Sequence, residues 1–193
     1  QMPLALYADG LSVSLSDGAK AYMNYVKPYI KGGWDGLHVN FYKPPKEKTD
    51  MPFLMAKGNI AYISGCLFDG YHKLAPVQHR YLLENLLEDF LPSPQVRVAG
   101  LPSFGRVFMQ YRPNSQILVH VMAYCPERRC GSIAVEDRLE IHGTQLDVRL
   151  DGKHVSKVYL APDRQPLEYS MTEDGYCHIT IPRFCAYTLV VIE

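Results

Sequence analysis

The feature that most constrains this chain is a change in the spacing of its apolar residues near residue 94. Over residues 76–91 apolar side chains recur at intervals of three and four, which predicts an α-helix with one broad apolar face. The members of that face are Leu82, Leu83, Leu86, Leu87, Phe90 and Leu91. Pro76 suits the first turn of the helix, and Pro92 and Pro94 follow its end. From about residue 96 onwards, the apolar residues alternate with period two, as in strands that bury one face.

The alternating pattern recurs in about seven short segments separated by turn residues. They begin with Val96 and Val98 and end with the run at residues 188–192. Many short alternating strands indicate an antiparallel β-sandwich. We therefore predict an α+β chain with a boundary near residue 94: residues 1–94 form a partial α/β unit, and residues 95–193 form the β-sandwich.

The first part contains too few elements to complete an α/β domain. Strands are predicted at residues 4–7, 11–15 and 19–29, and a hairpin at residues 53–56 and 59–64 turns at Lys57 and Gly58. Residues 34–50, with Pro44 and Pro45, are predicted to form a long loop. Three or four strands and one helix cannot cover both faces of an α/β sheet, so we expect earlier βα units to be missing.

Asp-Gly dipeptides mark the expected turns. Asp-Gly readily supplies the positive φ angles of tight turns, so turn formation is favoured over a role for these carboxylates in a site. The six dipeptides begin at Asp9, Asp17, Asp35, Asp69, Asp151 and Asp174.

Composition argues against several classes of partner. The formal net charge is zero and no basic stripe is present, so nucleic acid is not an expected partner. No apolar stretch approaches the roughly 20 residues of a membrane span. The chain begins with Gln1, which we interpret as a processing boundary, and its localisation is not readable from the sequence.

The cysteines are odd in number and lie mostly in apolar or strand-like segments, which predicts five free thiols and no metal. They are Cys66, Cys125, Cys130, Cys177 and Cys185. Free thiols favour a reducing compartment. The gap between Cys125 and Cys130 lacks a second ligand pair at zinc spacing.

No catalytic constellation is recognisable. A nucleophile elbow, a phosphate-binding loop and a zinc helix are all missing, and no histidine has a partner that its spacing identifies. His120 lies within an apolar strand and is expected to be a core or sheet-face residue. We predict no catalytic residues, no cofactor and no metal site, so an independent enzyme is the least favoured function.

One loop is a candidate ligand-binding surface, because it mixes aromatic rings with hydrogen-bonding groups as sugar sites do. Its candidate residues are Trp34, Asp35, His38, Asn40 and Tyr42. A second candidate pair, Tyr71 and His72, follows the expected Asp69-Gly70 turn and is placed on a loop. The alternative, that these aromatic rings pack on the core or in an oligomer interface, is favoured over sugar binding.

The chain resembles the carboxy-terminal region of large bacterial β-galactosidase-like and fucosidase-like glycoside hydrolases. In the first part the resemblance lies in residues 17–21, 27–29, 43–45, 58–64 and 68–71 and in the helix ending at Leu91-Pro92; in the second it lies in residues 101–103, 118–129, 158–162 and 174–176. Nearly the whole chain is covered, by motifs that are mostly structural.

This resemblance implies a larger architecture. In that family a catalytic barrel precedes a trimerisation domain with a flavodoxin-like or amidotransferase-like fold, and a small β-domain follows. The implied function is a non-catalytic assembly region, with the upstream barrel and further copies of the chain as partners. Ile30-Lys31-Gly32 and Val39-Asn40 depart from the family pattern. A carbohydrate-binding module, using residues 34–42 or a sandwich face, is the alternative.

Overall fold

The computed structural model describes residues 3–7, 9–29, 44–113, 115–129 and 131–193, together with the backbone of residues 33–34 and 39–40. The chain divides into two compact units, Gln1–Pro92 and Ser93–Glu193. Strands predominate, the paired strands run antiparallel, and two helices are present among the described residues. The predicted α+β class with a β-sandwich is confirmed.

The first unit is built on a three-stranded antiparallel sheet in the order β1-β4-β5. Its strands are β1 (Lys20–Pro28), β4 (Pro45–Lys57) and β5 (Ile60–Ile63), and a short ribbon pairs β2 (Gly33–Trp34) with β3 (Val39–Asn40). The predicted hairpin at Lys57 and Gly58 is confirmed, and Gly58 has the positive φ of 56° that such a turn requires.

Two predictions for the first unit are wrong. Residues 45–50 belong to β4 and are not part of a long loop, because they extend its pairing with β1. Residues 4–7 and 11–15 form no strand. Instead, the chain there makes a single bridge between Gly10 and Gly65, where a Cβ on Gly10 would lie 2.0 Å from the Tyr25 hydroxyl oxygen. The two glycines allow a close backbone approach rather than a ladder.

The first unit has two helices, α1 (Leu67–Leu74) and α2 (Val77–Phe90). The second is the helix predicted over residues 76–91. The first replaces the predicted turn and loop at Asp69-Gly70. Gly70 faces the imidazole of His79, where a Cβ would lie 3.2 Å from Cε1, so the missing side chain lets α1 pack closely on this ring. Ala75, in the left-handed conformation, ends α1, and the extended Pro76 precedes α2.

The core of the first unit is small. Phe53, Leu54 and Leu67 are buried at its centre, and Tyr25 meets Phe53 edge to face with ring centroids 5.3 Å apart. Leu82, Leu83 and Leu86 of α2 pack against this cluster. We expected the whole leucine face to pack within the chain, and this is wrong for Leu87 and Leu91, which are 55% and 61% exposed. Leu87 points away from the core-facing side of α2, and Leu91 lies beyond its end.

The second unit is a sandwich whose two sheets share one strand. The first sheet contains β6 (Val96–Ala99), β11 (Glu140–Arg149), β14 (Tyr169–Met171) and β15 (Tyr176–Ile192); the second contains β7 (Arg106–Tyr111), β8 (Ile117–Ala123), β12 (Val158–Ala161), β13 (Gln165–Pro166) and β15 again. A separate ribbon pairs β9 (Glu127–Arg129) with β10 (Ser132–Ala134).

The shared strand β15 changes sheets at Ala186. Residues 176–185 pair with β11, and residues 186–192 pair with β8. Ala186 has a φ of 61°, and a left-handed residue of this kind bends a strand as a bulge does. One long strand thereby crosses from one layer of the sandwich to the other.

Inward-facing residues of both layers form one core. Val119, Val121, Leu146, Val148, Ile179, Ile181 and Val190 are fully buried. These residues carry the period-two pattern seen in the sequence. The turns predicted at Asp151-Gly152 and Asp174-Gly175 are confirmed, with φ of 82° at Gly152 and 84° at Gly175. Across the described residues, neither helix is long and apolar enough to cross a membrane.

Candidate functional site

The candidate ligand loop lies largely outside the described residues. This holds for Asp35, His38 and Tyr42. For Trp34 and Asn40 only the backbone is described, and it pairs with Val39 and Gly33. A ligand surface at residues 34–42 therefore stays a prediction.

The second candidate pair, Tyr71 and His72, lies on α1 and not on a loop. Adjacent positions on a helix point about 100° apart, so the two side chains do not form one surface. His72 is exposed and Tyr71 is half-buried. The ion pair on this helix is instead between Lys73 and Asp69, with Nζ of the lysine 2.8 Å from Oδ2 of the aspartate. This hydrogen bond raises the pKa of Lys73.

A group of exposed apolar side chains lies on and beside the two helices. We call it the helical apolar patch; its members are Phe68, Leu74, Val77, Tyr81, Leu87 and Leu91. On α2, Val77 and Tyr81 lie on the side opposite Leu82, Leu83 and Leu86, and Leu87 lies between the two sides, about 90° from the core-facing one. An ion pair of 3.2 Å between Arg80 and Glu84 lies among them. The helix is therefore apolar on two sides, and only one of these packs on its own core.

A shallow concavity lies in the first unit, where the chain around Gly10 passes β5. Its volume is about 310 Å³. Leu11 and Tyr62 line it and are both exposed. Ser64, which also lines it, is buried; its hydroxyl donates a hydrogen bond to the Pro52 carbonyl at 2.9 Å and accepts one from the Tyr25 hydroxyl at 3.2 Å. Because the Ser64 hydroxyl already makes hydrogen bonds within the protein, the concavity offers a ligand mostly apolar contacts.

In the second unit, an aromatic group lies on the outer face of the sheet that contains β7 and β8. The rings of Phe108 and His120 are stacked, 4.3 Å apart and inclined by 7°. Tyr187 contacts the same imidazole through its hydroxyl, 2.8 Å from Nδ1. Phe108 and Tyr187 are exposed. These three residues, the aromatic platform, confirm that His120 is a sheet-face residue.

Sequence spacing did not reveal the partners of the histidines. His120 contacts Tyr187, as described above. His178 Nδ1 lies 2.6 Å from Asp147 Oδ1, and His142 Nε2 lies 3.3 Å from Glu140 Oε2. His79 is fully buried, and its Nε2 lies 2.9 Å from the Ala5 carbonyl. The two residues of each pair lie on different strands or 74 positions apart, except for Glu140 and His142. Glu140 and His142 are two positions apart on β11 and so lie on the same face of the strand, and only this period-two spacing could have indicated their contact.

A second concavity, of about 560 Å³, lies in the second unit around Glu193. We call it the Glu193 pocket; it is lined by Ser115, Gln116, Lys153, His154 and Glu193. Glu193 Oε1 accepts hydrogen bonds from the Tyr159 hydroxyl at 2.8 Å and from the Gln116 side-chain amide at 2.7 Å. These bonds, that of Tyr159 first, lower the pKa of Glu193.

The described cysteines are free thiols, but their lying in apolar or strand-like segments does not bury them all. Cys177 is buried, Cys125 is half-buried, and Cys66 and Cys185 are exposed. Burial raises the pKa of the Cys177 thiol to about 11. Cys130 lies outside the described residues, and within them no group of three or more histidine, cysteine or acidic side chains could hold a metal ion.

Comparison with known proteins gives similarity of fold. No protein-family profile and no curated sequence matches the chain. Among solved structures, α-L-fucosidase isoenzyme 2 from Paenibacillus thiaminolyticus matches 97% of this chain with a TM-score of 0.85 and 20% identity. A cycloisomaltooligosaccharide glucanotransferase from Paenibacillus sp. matches 50% of this chain and 16% of its own, with a TM-score of 0.41 and 18% identity. The chain spans 28% of the fucosidase chain, whose fold it shares over that region.

Proposed function

We propose that this chain is a non-catalytic assembly region of a larger glycoside hydrolase. Its partners are then the catalytic barrel of the parent enzyme and further copies of the chain. The fold shared with part of an α-L-fucosidase supports this proposal, as does the family resemblance of the sequence. In this proposal residues 1–94 correspond to the end of a trimerisation domain and residues 95–193 to the closing β-domain.

The observation that carries the proposal is the distribution of apolar side chains in the first unit. Among the described residues, five buried apolar side chains belong to this unit, whereas twenty belong to the second. Thirteen large apolar side chains are exposed among the residues of the first unit that the structure describes. Extensive exposed apolar surface marks association sites in soluble proteins. The first unit therefore supplies the larger share of the intermolecular contact.

The helical apolar patch is the most favoured part of that contact surface. Burying one leucine side chain contributes about 1.5–3 kcal/mol, so Leu87 and Leu91 together can decide whether two chains associate. The Arg80–Glu84 ion pair supplies polar groups within the patch, as most interfaces contain. A partner surface would cover the side of α2 that its own core leaves exposed.

The test measures association of the 193-residue chain by light scattering over a range of concentrations. We expect concentration-dependent oligomers, and we expect Leu87→Lys combined with Leu91→Lys to raise the dissociation constant at least tenfold. The matched control is Ile133→Lys, because Ile133 is 75% exposed and lies in the second unit. The assembly role would be contradicted if the unsubstituted 193-residue chain were monomeric. It would also be contradicted if Ile133→Lys weakened association and the Leu87→Lys, Leu91→Lys variant did not.

A carbohydrate-binding module is the second candidate function. The aromatic platform favours it, because the exposed rings of Phe108 and Tyr187 offer the flat apolar contact that sugar rings use. Binding of the chain to a glycan array, lost in Phe108→Ala and kept in Leu87→Lys, would support this candidate over assembly. The predicted ligand surface at residues 34–42 belongs to the same candidate.

A further inference from the structure

The Glu193 pocket is assembled from three separate parts of the second unit. Ser115 and Gln116 lie between β7 and β8, Lys153 and His154 lie between β11 and β12, and Glu193 directly follows β15. Its volume of about 560 Å³ falls within the roughly 300–1,000 Å³ of small-molecule sites. The pocket shares no residue with the helical apolar patch or the aromatic platform.

Glu193 is a fixed hydrogen-bond acceptor in this pocket. Its backbone is held on both sides: its N–H donates to the Lys157 carbonyl at 2.9 Å, and its carbonyl accepts from the N–H groups of Ser156 and Lys157. Its Oε1 is occupied by Tyr159 and Gln116. Within the described part of the chain, its Oε2 accepts no hydrogen bond. A ligand hydroxyl can donate to that oxygen without displacing either partner.

A cationic side chain lines the pocket, and two more lie close enough to Glu193 to act on it. Lys153 lines the pocket, with its ammonium 4.8 Å from the centre of the Tyr111 ring. Arg164 and Lys157 both contribute to the lowered pKa of Glu193. Asp151, close to Lys153 in the sequence, is paired with Arg149 at 2.8 Å. The pocket therefore presents the ionised side chain of Glu193 and the ammonium of Lys153, which favours a ligand with both a hydroxyl and an anionic group.

We propose that the Glu193 pocket binds a hydroxy acid, either free or as the uronic-acid residue of a saccharide. A hydroxyl of the ligand donates to Glu193, and its carboxylate accepts from Lys153, with His154 on the same wall. Binding is non-covalent and does not depend on the assembly role of the first unit.

The test is calorimetric titration of the 193-residue chain with three probes: galacturonate, galactose and glycolate. We expect saturable binding of galacturonate at least tenfold tighter than that of galactose, which lacks the carboxylate. Glycolate, a free hydroxy acid, distinguishes the two sources. If glycolate binds as tightly as galacturonate, the ligand is a free hydroxy acid. If galacturonate binds more tightly than glycolate, the ligand is the uronic-acid residue of a saccharide.

Two variants and one control locate the site. Lys153→Gln should weaken galacturonate binding at least fivefold and leave galactose unaffected, and Glu193→Gln should weaken all probes that bind. The matched control is Lys46→Gln, because Lys46 also lies over a tyrosine ring, 5.4 Å from the centre of Tyr29, in the other unit. Equal affinities for galacturonate and galactose, or an unchanged affinity in Lys153→Gln, would overturn the proposal whatever the oligomeric state.

Discussion

The imidazole of His79 on α2 and the carbonyl of Ala5 are 2.9 Å apart, although 74 positions separate them in the sequence. Since a carbonyl can only accept, Nε2 of His79 carries the proton. The side chain is fully buried, and the same ring lies against Gly70 of α1 and, with centroids 6.2 Å apart, against the ring of Tyr7. One histidine thus joins α2, α1 and the chain around residues 5–7.

Replacing His79 should loosen this junction. We expect His79→Ala to destabilise the first unit by about 1–3 kcal/mol, because a packed ring and a hydrogen bond are both lost. Limited proteolysis should then cleave the chain around residues 3–7 earlier than in the parent. The control is the exposed His72→Ala. Unchanged protection of residues 3–7 in His79→Ala would show that other contacts hold this segment.

Ala186 should be a site where glycine stabilises the protein. A left-handed conformation costs a residue with a Cβ about 1 kcal/mol relative to glycine, and Ala186 has a φ of 61°. We expect Ala186→Gly to increase the free energy of unfolding by about 0.5–1 kcal/mol in denaturant titrations, and Ala186→Val to decrease it.

The matched control for this position is Ala99→Gly. Ala99 is exposed at the end of β6 and has an ordinary negative φ, so glycine there should be slightly destabilising. Destabilisation by glycine at both positions would contradict the role of residue 186 as the bend between sheets.

The buried thiol of Cys177 should make stability depend on alkaline pH. Its pKa is raised from 9.0 to about 11 in the folded chain, so the unfolded chain loses this proton first. Stability is therefore fully present below pH 9 and falls as the pH rises from 9 to 11, by on the order of 2 kcal/mol. Denaturant titrations at several pH values should show a weaker decline in Cys177→Ala. Equal declines in both proteins would contradict this assignment.

Thiol reactivity offers a second measurement on the same residues. In the native protein at pH 8, we expect the exposed Cys66 and Cys185 to react with a disulfide reagent quickly and Cys177 to react only on unfolding. The denatured, unreduced chain should titrate five thiols. Three or one would mean that disulfides form.

The chain by itself should show no turnover of nitrophenyl galactosides or fucosides. This prediction follows from the proposed assembly role, in which the catalytic carboxylates belong to an upstream barrel. Turnover that persists after repurification and is proportional to the concentration of the chain would contradict it.

Local patterns predicted the elements whose periodicity is strong. The helix α2, the hairpin at Gly58 and the alternating strands of the sandwich all follow from spacings within about 15 residues. The helix α1 was missed because Asp-Gly usually signals a turn, whereas here Gly70 lies within the helix and faces the buried ring of His79. That contact is made with a residue nine positions later and becomes visible only in the packed structure.

The candidate pockets and platforms depended on contacts between distant residues. Phe108, His120 and Tyr187 come together because β7, β8 and β15 are neighbours, and Glu193 meets Tyr159 through the pairing of β12 with β15. No local signal contains this strand order. Tyr71 and His72 looked like a pair because they are adjacent in sequence, and the helix separates them.

The passage of β15 through both layers has a consequence for how the second unit is synthesised. Both sheets take β15 as a central member, and it follows every other strand of the unit along the chain. During translation, the earlier strands of both layers therefore emerge from the ribosome with exposed apolar faces and no common partner. Pairing over such long sequence separations is slow to form. The second unit can complete neither sheet until its last strand, of seventeen residues, has been synthesised. A translation product that is interrupted before this strand should therefore be prone to aggregate.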